Sequence, residues 1–155
     1  MIDDRCSVCA AHEPSPCLVA WESPRWILRH HPGPAPLCGW FLLCSRRHVA
    51  SVADLNPVEE REFARILGAC MRALRDTRRV PRVYVVMFGE GAPHLHAHLI
   101  PRDASCEATR AWAVADLYRA VERRERAPAA PDAVDAIIAS MRARLAGELD
   151  CLTHA

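Results

Sequence analysis

No lysine occurs in the 155 residues, so all 20 basic side chains are arginines. That absence excludes Schiff-base catalysis, a lysine general base and a lysine-bearing phosphate loop. Long apolar runs are missing too, and no stretch approaches the roughly 18 residues of a membrane span. Neither sign of charge is in excess. The formal net charge is +1, which argues against a protein that coats nucleic acid or binds membranes through a basic face. The opening Met1-Ile2-Asp3-Asp4 is acidic and lacks an apolar core. No signal peptide is expected, and the protein is expected to be soluble and cytoplasmic. The 8 cysteines would suit a secreted disulfide scaffold. Without a secretion signal, and with Ala, Leu, Arg and Glu in quantity, reduced thiols are the expectation. A chain of this length makes one domain whose core needs no staples.

What is present centres on Pro93-His94-Leu95-His96-Ala97-His98-Leu99-Ile100-Pro101-Arg102. Histidines on alternate positions of a strand share one face, in a row roughly 13 Å long at about 3.3 Å per residue. Leu95, Ala97 and Leu99 then face a core. The run 82–88, rich in β-branched and aromatic residues, pairs with 95–101 as a hairpin through the turn-forming loop 89–93. The row has three readings: incidental histidines on a half-buried strand, a three-histidine metal site, or a phosphate-handling nucleophile.

Cys6-Ser7-Val8-Cys9 is a second candidate. Two thiols at this spacing reach one tetrahedral zinc, with Zn–S of about 2.3 Å, but redox pairs and unrelated thiols share the pattern. Segments 17–21 and 25–29 read as an antiparallel hairpin. After them His30-His31 opens a loop with four prolines and glycines in the five positions 32–36, a rim element where the two histidines either face a ligand or, as is expected first, are solvated. Trp40-Phe41-Leu42-Leu43-Cys44 reads as a central strand ending at Ser45-Arg46-Arg47-His48. Asn56-Pro57-Val58-Glu59 carries N-cap, first-turn proline and capping-box signals for a helix through about Arg75. Two further amphipathic helices are expected, within 109–126 and from Val134 to near Gly147, covering the sheet or forming a dimer contact.

The triad and its surroundings resemble the histidine triad (HIT) family, whose signature is His-x-His-x-His followed by two apolar residues. His94 to Ile100 fits it at every position. Gly39 to His48 is similar to the strand leading to that family's Pro-x-x-His, with Ser45 in place of proline. Cys6-x-x-Cys9 is similar to the opening of its zinc-carrying branch. The resemblance covers roughly 5–103. It implies an α+β fold, an antiparallel sheet of about five strands backed by helices, commonly a homodimer. Residues 1–105 would form the catalytic domain, and 106–155 a helical extension packed on it.

The same resemblance implies a structural zinc held by Cys6, Cys9, His48 and His94, with His96 as the nucleophile. His98 would contact phosphate oxygens and assist the leaving group, and His96 and Gly91 would lie at the phosphate. The implied activity is cleavage at the α-phosphate of a nucleotide conjugate, such as a dinucleoside polyphosphate or nucleoside phosphoramidate, through a nucleotidyl-histidine. Nucleotidyl transfer, or a non-catalytic nucleotide-binding module, is the alternative. In the family a Gln at the third triad position accompanies uridylyl transfer, so His98 favours hydrolysis. The sequence departs from the family at 89–93, where no hydroxyl or amide side chain is present and Glu90 would repel phosphate if it faced inward.

Overall fold

The structure, a computed structural model, describes residues 6–10 and 16–153. Five strands form one sheet: Val19–Glu22 (β1), Trp26–His30 (β2), Phe41–Ser45 (β3), Arg82–Val86 (β4) and His96–Arg102 (β5). Their order is β1-β2-β3-β5-β4, and every neighbouring pair is antiparallel. Four helices accompany them: Ser7–Ala10 (α1), Pro57–Arg78 (α2), Val114–Glu122 (α3) and Pro131–Thr153 (α4). This is the α+β architecture expected from the sequence, with its C-terminal helical extension. No described helix is long and apolar enough to cross a membrane.

Strands β2 and β3 are buried at every residue, and alternation divides their side chains between two environments. On one face Trp26, Leu28, Phe41, Leu43, Ala97 and Leu99 pack against the apolar stripes of α2 and α4. On the other, Ile27, Leu42, Cys44 and Ile100 meet Cys6, Val8 and Cys9 around α1, and Val114 and Leu117 of α3. The two C-terminal helices therefore lie on opposite faces of the sheet. One backs the core, and the other roofs the face that carries the histidines.

Local chemistry fixes the elements that hold the site. Asn56 caps α2 by accepting from the Val58 and Glu59 N–H groups, while the Glu59 carboxylate accepts from Asn56 N at 2.9 Å. Such a cap contributes about 1 kcal/mol. The same carboxylate takes two hydrogen bonds from Arg47 (2.9 and 2.6 Å), which anchors the segment carrying His48. Glu62, one turn on, accepts from Arg25 and from the Trp26 indole at 3.0 Å, tying the β1–β2 turn to α2. Gly39 has φ +89°, a left-handed conformation that L side chains resist, and a Cβ there would lie 3.1 Å from Ile137 Cδ1.

Some boundaries differ from the sequence expectation. Strand β4 stops at Val86 and β5 begins at His96, so the connection is longer than 89–93. His94 N donates to Ala92 O in a turn, and Leu95 pairs with Ser45 and Val49 on the β3 side instead of with β4. Helix α3 lies within 109–126, as expected. Helix α4 does not end near Gly147 but runs to Thr153, because Leu145 and Leu149, four residues apart, both bury in the core. Gly147 sits on its outer side, where a Cβ would meet nothing within 4 Å.

Candidate active site and metal centre

Strands β3 and β5 run antiparallel with Cys44 opposite His96. The exit of β3 and the entry of β5 therefore lie at the same end of the sheet, which brings His48 beside His94 with ring centroids 5.0 Å apart. Helix α1 lays Cys6 and Cys9, both buried, against this corner. Cys6 Sγ and Cys9 Sγ lie 3.6 and 3.3 Å from His94 Nδ1, and Cys9 Sγ lies 3.4 Å from His48 Nδ1. All four donor atoms fall within 4.8 Å of one another. A tetrahedral zinc with Zn–S of about 2.3 Å and Zn–N of about 2.0 Å spaces its ligands roughly 3.5 Å apart, so the donor set fits. His94 Nε2 donates to Ser45 O at 2.7 Å. That bond orients the ring and leaves Nδ1 for a metal.

This arrangement answers the three-histidine metal reading. The metal-capable cluster among the described residues takes only His94 from the triad. His96 and His98 instead face a cavity of about 1000 Å³ on the same side of the sheet, with their ring centroids 5.1 Å apart. Gly91 lies at the rim of this cavity. Glu90 is exposed and does not line it, so the anticipated repulsion of phosphate is absent from the cavity wall.

The two triad rings hold their protons at opposite positions. His96 Nδ1 lies 2.6 Å from His94 O, a carbonyl that can only accept. His96 is therefore the Nδ1–H tautomer, and its Nε2 keeps a lone pair. His98 Nδ1 lies 2.9 Å from the indole nitrogen of Trp40, a group that can only donate. Neutral His98 therefore carries its proton on Nε2. Burial, followed by the neighbouring His96 and His31, pushes the His98 pKa down to about 4. One ring offers an electron pair and the other an N–H, side by side.

The solvated placement expected for His30 and His31 does not hold, and Arg29 and Tyr118 carried no expectation of a role at the site. His30 is the last residue of β2 and is wholly buried, donating from Nδ1 to His31 O and accepting at Nε2 from Gly39 N, both at 2.9 Å. It is a satisfied structural residue. His31 is buried as well, because Tyr118 of α3 packs edge-on to it with centroids 5.4 Å apart, and it lines the cavity. Trp40 stands between His31 and His98, at centroid distances of 5.8 Å from each. A signal for Trp40 existed in the sequence: it shares a strand face with Leu42 and Cys44.

The HIT domain family model matches residues 15–105. The chain belongs to the HIT family. Family membership suggests a nucleotide-binding hydrolase or transferase. Among solved structures, the chain is similar to a Zn-bound histidine triad family protein from Mycobacterium smegmatis, at 18% identity and TM-score 0.66, over 95% of this chain and 96% of that one. It is also similar to a HIT-like protein involved in cell-cycle regulation from Bartonella henselae, at 14% identity and TM-score 0.65, over 93% and 99% of the two chains. A histidine triad protein from Bradyrhizobium japonicum matches at 22% identity and TM-score 0.62, over 81% and 88%. These likenesses concern the fold. No curated protein sequence matches the chain.

Proposed function

We propose that this HIT protein hydrolyses a nucleotide conjugate at its α-phosphate, through a nucleotidyl-histidine on His96. The opposite tautomers of His96 and His98 carry the reading. In the first displacement His96 Nε2 attacks the α-phosphorus, the P–N bond forms, and the bond to the leaving group breaks. His98 Nε2–H donates a hydrogen bond to a phosphate oxygen and steadies the charge carried off by the leaving group, and the departing atom takes its proton from water. In the second, water attacks the phosphorus and releases a proton to solvent, the P–N bond breaks, and the nucleoside monophosphate leaves with His96 restored. Transfer would differ only in the second acceptor, and His98 in place of a glutamine supports hydrolysis.

Cys6, Cys9, His48 and His94 are proposed to hold a structural zinc, like the Zn-bound relative from Mycobacterium smegmatis. A closed Cys2His2 set has no open position for substrate, so the metal's contribution is to fold stability. The extension 106–155 is proposed to be part of the same folding unit, since α3 and α4 both enter its cores. We further propose a cytoplasmic homodimer, joined at α2 or at the edge strand β4, beyond which Met87 and Phe88 are exposed.

Turnover of a phosphoramidate panel by wild type and by single triad variants tests the reading. His96→Ala should abolish turnover while keeping metal and nucleotide affinity, and His94→Ala should lose metal first. Wild-type-like turnover in His96→Ala would contradict the assignment.

A further inference from the structure

Arg29 lies inside β2, a strand buried at every residue. It is opposite Leu42 on β3, which is in turn opposite His98 on β5. Directly opposed residues share a face, so Arg29 sits in the same cross-sheet row as the last triad histidine. The residue is 6% exposed and lines the cavity beside Val8, His31 and Pro32. Its Nε is sealed from solvent without a hydrogen-bond partner. The described carboxylates that form ion pairs do so with other arginines. Its hydrogen-bonding neighbour Cys44 is a buried thiol, a weak acceptor only.

A guanidinium stays charged, offers five donors in a rigid fork, and is normally paired when buried. One at a cavity wall whose Nε has no partner, and which no described carboxylate is shown to pair, is suited to a ligand group with two adjacent acceptors. We propose that Arg29 reads the base of the bound nucleotide and selects a 6-oxopurine, guanine or hypoxanthine, through its O6 and N7. This rests on the nucleotide reading above and deepens it. Adenine offers N7 beside an N6 amine, and that amine opposes the guanidinium's own N–H groups. The walls near Arg29 suit a flat ring, with Trp40, Tyr118 and Pro32 lining the same cavity. Two strand spacings, about 10 Å, separate the backbones of Arg29 and His98. That span lets a nucleotide with its α-phosphate at the triad reach Arg29 with its base along the same cavity.

Calorimetric binding of GMP, IMP and AMP to the protein as purified tests the proposal. GMP and IMP should bind wild type roughly 5- to 150-fold more tightly than AMP, the range of one bidentate arginine contact. Arg29→Met keeps the apolar stem and removes the buried charge. It should bring all three ligands to the AMP level without lowering the melting temperature. Equal affinities in wild type would overturn the proposal and leave the nucleotide reading intact. So would a purine preference that survives in Arg29→Met. Failure of all three nucleotides to bind would overturn both.

Discussion

The indole N–H of Trp40 donates to Nδ1 of His98 across 2.9 Å, from the residue just before one central strand to the strand beside it. Gly39, held in its left-handed turn, sets where that indole points. The consequence is chemical: the only proton a neutral His98 carries is on the nitrogen facing the cavity. Trp40→Phe keeps the ring and removes the donor. One neutral hydrogen bond is worth about 0.5–1.5 kcal/mol, so turnover should fall up to about tenfold while nucleotide affinity stays near wild type. Nitrogen NMR shifts of His98 should move from the Nε2–H tautomer toward a mixture. An unchanged tautomer in the variant would show that Trp40 does not set it.

Acid sensitivity should begin well above the carboxylate range. Burial is the main cause that lowers the pKa values of His30, His31 and His98, the last to about 4. An unfolded histidine titrates near 6.5, so between 6.5 and the folded pKa the unfolded chain binds more protons. The stabilisation is complete above about pH 6.5 and is lost as pH falls toward the folded pKa. Thermal melts of wild type and His98→Asn, compared from pH 7.5 to 4.5, should show wild type losing ground to the variant on acidification. A constant difference would mean that His98 is not held neutral by the fold.

Removing the metal should loosen one corner of the sheet before the rest. Cys6 and Cys9 belong to α1 and its lead-in, His48 follows β3, and His94 precedes β5. Cys9→Ser or dialysis against a chelator should lower the melting temperature and leave far-ultraviolet dichroism largely native, since α2 and α4 pack on the opposite face. Elemental analysis should find one zinc per chain in wild type and none in Cys9→Ser. A metal-free wild type of unchanged stability would remove zinc from the account.

Glu62 joins Arg25 and the Trp26 indole to α2, and hydrogen bonding from Arg25 holds its carboxyl below the usual range. Glu62→Leu should destabilise the chain by about 1–3 kcal/mol, because the Trp26 donor is left buried and unpaired. Urea unfolding measures this directly. A variant as stable as wild type would show that the clamp contributes nothing net.

How much of this could be read from the sequence depended on whether the signal was local. The capping box at Asn56 and Glu59, the apolar run into β3 and the core-facing alternation of Leu95, Ala97 and Leu99 are each written within a few residues, and each forms as expected. The burial of His30 and His31 was not legible, because the proline-rich loop after them suggests exposure and the covering Tyr118 lies in a helix far along the chain. The reach of α4 past Gly147 depended on a core that accepts Leu149, which no local pattern reveals. Arg29 interrupts an apolar strand in plain sight, yet only the register with Leu42 and His98 shows that it faces the cavity.

The nucleophile is the centre of the account, and trapping its covalent intermediate tests it most directly. Protein mixed with a nucleoside phosphoramidate labelled at the α-phosphorus, then quenched within one turnover, should carry an acid-labile, base-stable label on His96. The label should be absent from His96→Ala. It should accumulate in a His98→Asn variant if loss of that N–H slows the second displacement more than the first. Label that persists in His96→Ala, or a wild type that turns over without ever carrying label, would contradict the mechanism.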